Sequence, residues 1–411
     1  MSDDQPYYSV EEMPYVSSLD GLEPLDVLYD NVALCCPARA TFLTGLYSHH
    51  TGVEGNNGAK FDPSDTLATW LNHGGYETGL FGKYLNGYPF SEAGNAVPPG
   101  WDRWVAFAGE PGYYNYKLSV DGATRRFGDH TRDYSTDVLA RKARAFVNTA
   151  PEPFFAFVTP YGPHEPATPA ARHVDSYRDI PFPQRPNFGV AAQGAPDYYE
   201  QLPAPSFDRA QTKWRRQMET LQSVDELVGT VVTKADQRQR ETIVVYLSDN
   251  GFSLGSHRRG EKVCGYEECG RIPGLIRAPG DPSGSVASIA DMAPTLADLA
   301  GVGHAPTDGY SLVPHFEGAP FDPDRALLLR NARTTKRGLP PFWGLRTDRW
   351  KYLRHSFAAG VEGASQRPEK LYDLQADPFE LENVAAEPAY EEVLAGLRAR
   401  LKAERAADPH P

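Results

Sequence analysis

Apolar runs along this chain are short, and they end repeatedly in polar clusters. "YETGLFGKYLNG" holds a strand-like segment that stops at Lys83. "EPFFAFVTPYGPHEP" predicts a strand over Phe154 to Thr159 that ends in a Pro/Gly loop carrying His164. The strongest signal is "ETIVVYLSDNGF": Ile243 to Leu247 is a continuous β-branched and aromatic run of the kind buried in a parallel sheet, and it ends at Asp249 and Asn250. Between these runs, "YSTDVLARKARAFVNTA" and "LQSVDELVGTVVTKA" repeat their apolar residues at helical spacing. The alternation predicts an α/β fold, in which ligands bind beyond the carboxyl ends of the strands. The polar clusters fall at those ends.

After "GYSLVPHFEG" the pattern changes to short strand-like pieces, "GLRTDRWKYLRHS" and "EKLYDLQADPFELENVA", followed by a charged helix near residues 390 to 405. The chain is therefore divided into a larger unit, 1–321, and a smaller α+β subdomain, 322–411. Residues 178 to 209 hold many prolines and little periodicity, which predicts a long surface loop over the site.

Composition narrows the function. With 411 residues the chain can bury a large core. A formal charge of −13 argues against non-specific binding to nucleic acid or to an anionic membrane surface. A small anionic substrate stays open, because a local cluster of Lys, Arg and metal outweighs a global sign. No run of about 18 apolar residues is present, so no membrane span is expected. The four cysteines, Cys35, Cys36, Cys264 and Cys269, do not make a disulfide framework, and whether Cys264 and Cys269 pair is left open.

Two of those cysteines are adjacent, in "NVALCCPARATFLTGLYSHHTGV". Pro37 suits the first turn of a helix that continues through Thr41 to Leu46. Cys35 then sits at the helix entrance, where free N–H groups and the positive end of the dipole face an anion. Arg39, four residues on, shares its face and can brace whatever Cys35 becomes.

The pattern Cys35-x-Pro37-x-Arg39 followed by Leu43-Thr44-Gly45 resembles the sulfatase signature. "SDDQ" at 2–5, "GKYLNG" at 82–87, "PHEP" at 163–166, "SDNG" at 248–251 and "EKVCGYEECGRIPGLIRAPG" from 261 stand in the family's order. "LCCPARATFLTG", "FGKYLNGY", "PPGWDRWVAF" and "LQSVDELV" are most similar to the glucosamine-6-sulfatase branch. The resemblance implies an alkaline-phosphatase-like fold, a central, mostly parallel sheet flanked by helices. It implies hydrolysis of sulfate monoesters, most similar to those of 6-O-sulfated amino sugars. It also implies that a maturation enzyme oxidises Cys35 to formylglycine, leaving Cys36 a packed neighbour. In the family's mechanism the aldehyde is hydrated, one hydroxyl attacks sulfur, and loss of a proton from the other expels sulfate.

The same resemblance places Asp3, Asp4, Cys35, Asp249 and Asn250 around a metal. Hard oxygen donors suit Ca²⁺, with Mg²⁺ as the alternative, better than Zn²⁺. It makes Arg39, Lys83, His164 and Lys262 catalytic, with His164 and Lys262 sharing protonation of the leaving oxygen, work that suits an imidazole near neutral pH. Asn86 and His257 are expected at the substrate. Three departures stand out: Ala38 replaces the usual serine, Leu85 replaces a frequent histidine, and only Met1 and Ser2 precede the Asp pair where the family carries an apolar strand. The sequence therefore leads us to expect a chain that starts late and folds or binds metal poorly for lack of that strand. Two alternatives are open: a phosphonate or phosphate ester hydrolase of the same superfamily, and a non-catalytic relative that binds sulfated sugars. Export is undecided.

Overall fold

The computed structural model describes residues 1–89, 96–191, 202–284, 286–322, 324–332, 341–356 and 369–406. Among these described residues the strands that position the site are β1 (Val27–Tyr29), β2 (Glu77–Gly82), β3 (Arg103–Phe107), β4 (Lys117–Val120), β5 (Ala123–Arg126), β6 (Phe154–Thr159), β7 (Val244–Leu247) and β8 (Gly274–Arg277). A C-terminal set follows: β9 (Leu327–Asn331), β10 (Phe342–Arg346), β11 (Trp350–His355) and β12 (Glu369–Asp373). The helices used below are α1 (Cys35–Thr44), α2 (Leu67–His73), α3 (Ser135–Thr149), α4 (Phe207–Asp236) and α5 (Glu391–Ala406).

β2 lies between two parallel neighbours, β3 and β6, and β4 and β5 continue the sheet antiparallel beyond β3. Both faces are covered. Phe81 packs with Val138, Leu139 and Phe146 of α3 on one side, and Leu80 packs with Phe42 of α1, Trp70 of α2 and Trp104 on the other. Burial on two faces is why these strands read as unbroken apolar runs. Each large side chain buried this way contributes about 1.5–3 kcal/mol. The expected strand at 154–159 and the helix near 134–150 form as read, and the helix expected at 221–235 is the second half of the longer α4.

β7 differs from expectation. Its paired strand is the antiparallel β8, and the parallel contact on its other side is a bridge from Ser2 to Ser248. Val244 and Val245 are consequently only half-buried, because they border an apolar cavity of about 650 Å³ that also touches Phe42, Phe155, Phe157 and Leu227. At the carboxyl ends of β6 and β7 the chain from Met1 to Asp3 crosses above this cavity. Met1 N donates to Val158 O (2.9 Å), Ser2 N to Leu247 O (2.8 Å), and Asp249 N to Ser2 O (3.2 Å). The Asp pair is thus held at the strand ends by backbone bonds, Asp3 N to Gly162 O (3.1 Å) among them.

The C-terminal strands form an antiparallel meander, β9-β10-β11-β12. One face carries α5 through Leu394, Leu397 and Leu401. The other packs Leu353 and Tyr372 against Tyr29 and Tyr266. Charge is buried in this seam: Lys351 Nζ lies 2.8 Å from both Glu267 and Glu380. His257 is also there, stacked on Tyr266 at 3.9 Å with Nε2 3.1 Å from Phe379 O, as is His355, edge-on to Phe342. Of the Pro-rich stretch 178–209, residues 192–201 lie outside the described residues. Its first part runs over the surface, with residues 178–181, 183, 184 and 186 exposed, and is pinned there by Phe182, buried against Trp214.

Two expectations follow from the fold. Gly82 ends β2 with φ 132°, and a Cβ there would come within 1.9 Å of Thr159 O. Gly82→Ala should therefore lower the urea midpoint by more than about 1 kcal/mol equivalent and displace Lys83. Burial, followed by the nearby Lys370 ammonium, pushes His257 and His355 down to about 3. Unfolded imidazoles take up a proton below about 6.5, so stability is complete above that pH and falls as pH drops toward 3. Thermal melts across this window should show the decline, and His355→Phe should flatten it.

Candidate active site

The site forms where α1 meets the carboxyl ends of β2, β6 and β7. Leu34 is extended and Cys35 opens α1, which ends at the left-handed Gly45. The entrance is braced by two residues that carried no signal in the sequence. Asn56 accepts Cys36 N–H at 3.2 Å, and Asp30 accepts Val32 N–H at 3.2 Å. Burial pushes the Asp30 carboxyl well above its ordinary range. Asn31 clamps the same entrance, donating to Leu328 O and accepting from Ser48.

Nine of the expected residues converge here. Lys262 Nζ lies 2.9 Å from Cys35 Sγ and 2.6 Å from Asp4 Oδ1. Lys83 Nζ is 2.5 Å from Asp3 Oδ2. Arg39 is fully buried and spends its fork on three partners: Asp249 Oδ2 at 2.8 Å, Lys83 O at 2.6 Å and Asp3 Oδ2 at 3.4 Å. Asp4 N donates to Asp249 Oδ1 at 3.1 Å, and Asn250 Nδ2 to Asp4 Oδ1 at 2.8 Å. His164 approaches Asp4 Oδ2 with Nε2 at 3.4 Å, while its Nδ1 lies 2.6 Å from Glu165 O. A carbonyl only accepts, so Nδ1 carries a proton and Nε2 faces the carboxylate.

The electrostatics follow from burial set against pairing. Burial raises the Asp3 carboxyl, but Lys83, His164 and Arg39 outweigh it and hold it below its ordinary value. Asp4 behaves alike, burial being outweighed by Lys262 and His164. Burial lowers the Lys83 and Lys262 amines, yet Asp3 and Asp4 respectively raise them above normal. Burial and then Asp249 push the Cys35 thiol well up, and burial pushes Cys36 to about 11.

Donor atoms of Asp3, Asp4, Cys35 and His164 lie within 4.8 Å of one another. Asp249 borders that group, its oxygens bonded to Arg39 and to Asp4 N–H. Asn250 Oδ1 is buried without a hydrogen-bond partner. An orphaned amide oxygen beside clustered carboxylates fits a hard divalent cation.

Two expected residues differ. His257 belongs to the seam described above, held by Tyr266, Phe379 and Asn187 (3.3 Å); its placement at the substrate is corrected on that ground, since burial among these partners faces it into the seam. Asn86 lies beside Cys36 through its backbone, N–H to Sγ at 2.9 Å, and its Oδ1 is buried without a partner.

Residues 7–302 match the sulfatase family, and residues 255–407 match the C-terminal region of N-sulphoglucosamine sulphohydrolase. The chain is 34% identical over 315 residues to N-acetylglucosamine-6-sulfatase of Capra hircus, covering 70% of this chain and 56% of that protein. It therefore spans about half the length of the curated relatives it matches. Among solved structures, one in complex with its substrate D-glucosamine-2-N,6-O-disulfate superposes with a TM-score of 0.85 at 24% identity, covering 100% of this chain and 98% of the other. The phosphonate monoester hydrolase of Agrobacterium radiobacter gives 0.75 at 22% identity, over 99% and 94%. These likenesses establish the alkaline-phosphatase-like fold. With the signature at the entrance of α1, the shared fold and a family match over most of its length, the chain belongs to the sulfatase family.

Proposed function

We propose that this protein hydrolyses sulfate monoesters at the 6-O position of amino sugars, using a formylglycine made from Cys35 by a maturation enzyme. The observation that carries the reading is the convergence of Lys262 Nζ and Asp4 on Cys35 Sγ at the first turn of α1. The identity to N-acetylglucosamine-6-sulfatase and the fold neighbour holding a 6-O-sulfated glucosamine support the substrate class.

A sulfate monoester is a stable anion, so its hydrolysis needs charge neutralisation, an in-line nucleophile and a proton for the leaving oxygen. Cys35 as a thiol is ill-suited to attack, because burial and Asp249 keep it protonated at neutral pH. A formylglycine at position 35 would supply, once hydrated, two geminal hydroxyls: one for attack on sulfur as the ester S–O bond breaks, the other to lose its proton as sulfate leaves. Lys83 and Lys262, held protonated by Asp3 and Asp4, bind the sulfate oxygens. Arg39 is fully buried and fixes Asp249, Asp3 and the Lys83 carbonyl. His164, with about a quarter of its side chain exposed, presents Nε2 to the leaving oxygen, with Lys262 beside it. Asn86 borders the sugar next to Cys36. Asp3, Asp4, Asp249, Asn250 and the oxygen at position 35 would hold Ca²⁺, or Mg²⁺, whose charge offsets that of the sulfate. Residues 322–411 are read as a C-terminal subdomain with a small antiparallel sheet and a helix.

Mass spectrometry of the peptide carrying residue 35, after co-expression with a maturation enzyme, should show formylglycine at Cys35 and an unmodified Cys36. Cys35→Ser should abolish sulfate release while Cys36→Ala keeps most of it. An unmodified thiol at 35 in fully active protein would overturn the reading.

The metal is tested separately. Asp249→Ala or exhaustive chelation should abolish both calorimetric Ca²⁺ binding and turnover of an aryl sulfate. Full turnover in metal-free protein, or preference for an aryl phosphonate, would count against the proposal.

A further inference from the structure

Lys262 follows a tight hairpin whose arms, Ser253–Leu254 and Gly260–Glu261, pair antiparallel. The backbone around it is unusual. His257, Arg258, Glu261 and Val263 have φ of 51°, 57°, 75° and 65°, left-handed conformations that side chains disfavour and β-branched valine most of all. Glu261 and Val263 flank Lys262 on both sides. Such backbone persists only where its surroundings over-determine it.

What over-determines it can be read residue by residue. Val263 N donates to Ala33 O at 3.1 Å, tying the lysine to the approach to Cys35. The next residue, Cys264, is bonded to Cys269, and Cys269 Sγ lies 3.7 Å from Glu261 O. Cys269 belongs to a short helix, Glu267–Gly270, that is fastened from several directions. Glu267 pairs with Lys351 at 2.8 Å and its N–H donates to Glu380 at 2.8 Å. Glu268 accepts from Asn187 at 2.8 Å, and Gly270 O accepts from Asp30 N at 2.9 Å. The disulfide therefore connects a left-handed turn to a fixed block.

We propose that the Cys264–Cys269 disulfide is a positioning element of the site: it holds the Glu261–Val263 turn against the anchored helix and so keeps the Lys262 amine at Cys35 and Asp4. This rests on the reading of Lys262 as a sulfate-binding residue. Opening the bond leaves the Glu267–Lys351 ion pair and the Asn187–Glu268 hydrogen bond intact, so the body of the protein stays folded while Lys262 loses its fixed place. Activity would then depend on an environment oxidising enough to keep the bond.

The test is a mutant cycle on protein carrying formylglycine at position 35. Cys264→Ala/Cys269→Ala should lower kcat/KM for an aryl sulfate roughly 10- to 100-fold, the scale of a misplaced catalytic group. Lys262→Ala should lower it at least as far, and the triple variant should fall within about twofold of Lys262→Ala alone, because coupled residues are not additive. Hydrogen exchange should accelerate at the amides of 261–263 and stay unchanged in β11. Leu401→Ala in α5, a destabilised control, should keep wild-type kcat/KM. If the double cysteine variant fails to accumulate, phosphine reduction of the folded protein gives the same exchange comparison. Wild-type kcat/KM in the double variant, a fully additive triple variant, or unchanged exchange at 261–263 would overturn the proposal. Wild-type activity in Lys262→Ala would instead overturn the reading of Lys262, leaving the exchange result to decide whether the disulfide holds the turn.

Discussion

Three carboxylates, Asp3, Asp4 and Asp249, are buried together beside Cys35, and they coexist because Arg39 and Lys83 are buried with them and the partly buried Lys262 pairs with Asp4. Taking one such charge out of water costs several kcal/mol even after relaxation. The attraction to its partner repays that only when the geometry is close and the remaining lone pairs are bonded. Arg39 meets the condition for the whole group, since one planar fork bonds a carboxylate, touches a second and caps the carbonyl of Lys83. Every other feature of the site presupposes that balance. The first turn of α1 has to present Cys35 and Arg39 on one face, and β2, β6 and β7 have to end at the same level so that their polar successors meet.

Much of this was legible because chemistry and periodicity coincide. Strands that are apolar on both faces announce themselves as runs, and each polar residue after a run marks a strand end, which is how Lys83, His164, Asp249 and Asn250 could be placed before any coordinates. Asp3 and Asp4 were legible only through the resemblance, since two acids near a terminus have no pattern of their own. His257 misled because it lies in sequence between the strand end and Lys262. The hairpin that carries it turns through left-handed backbone at residues 257 and 258, and no local pattern predicts which way such a turn faces the ring. Asn56 and Asp30 were invisible for the opposite reason: each acts through hydrogen bonds from backbone amides, which leave no spacing to find.

The antiparallel pairing of β7 with β8 shows where run-reading stops. A continuous apolar run marks a strand inside the sheet; it specifies neither how fully each residue is covered, as half-buried Val244 and Val245 show, nor the direction of the neighbour, which depends on how the chain returns. The C-terminal meander was readable as a change of style near residue 322. Its contribution to the site was not, because Lys351 reaches Glu267 across the seam from a strand more than eighty residues later. Charged residues in an otherwise ordinary amphipathic strand look solvated until their partners are known.

The cavity between β6 and β7 has a mechanical meaning. The hollow of about 650 Å³ is partly open to solvent and is roofed by Met1 and Ser2. The segment leading to Asp3 and Asp4 is therefore suspended like a span between two abutments: backbone bonds from Met1, Ser2 and Asp3 anchor it to the ends of the flanking strands, while little packs against it from below.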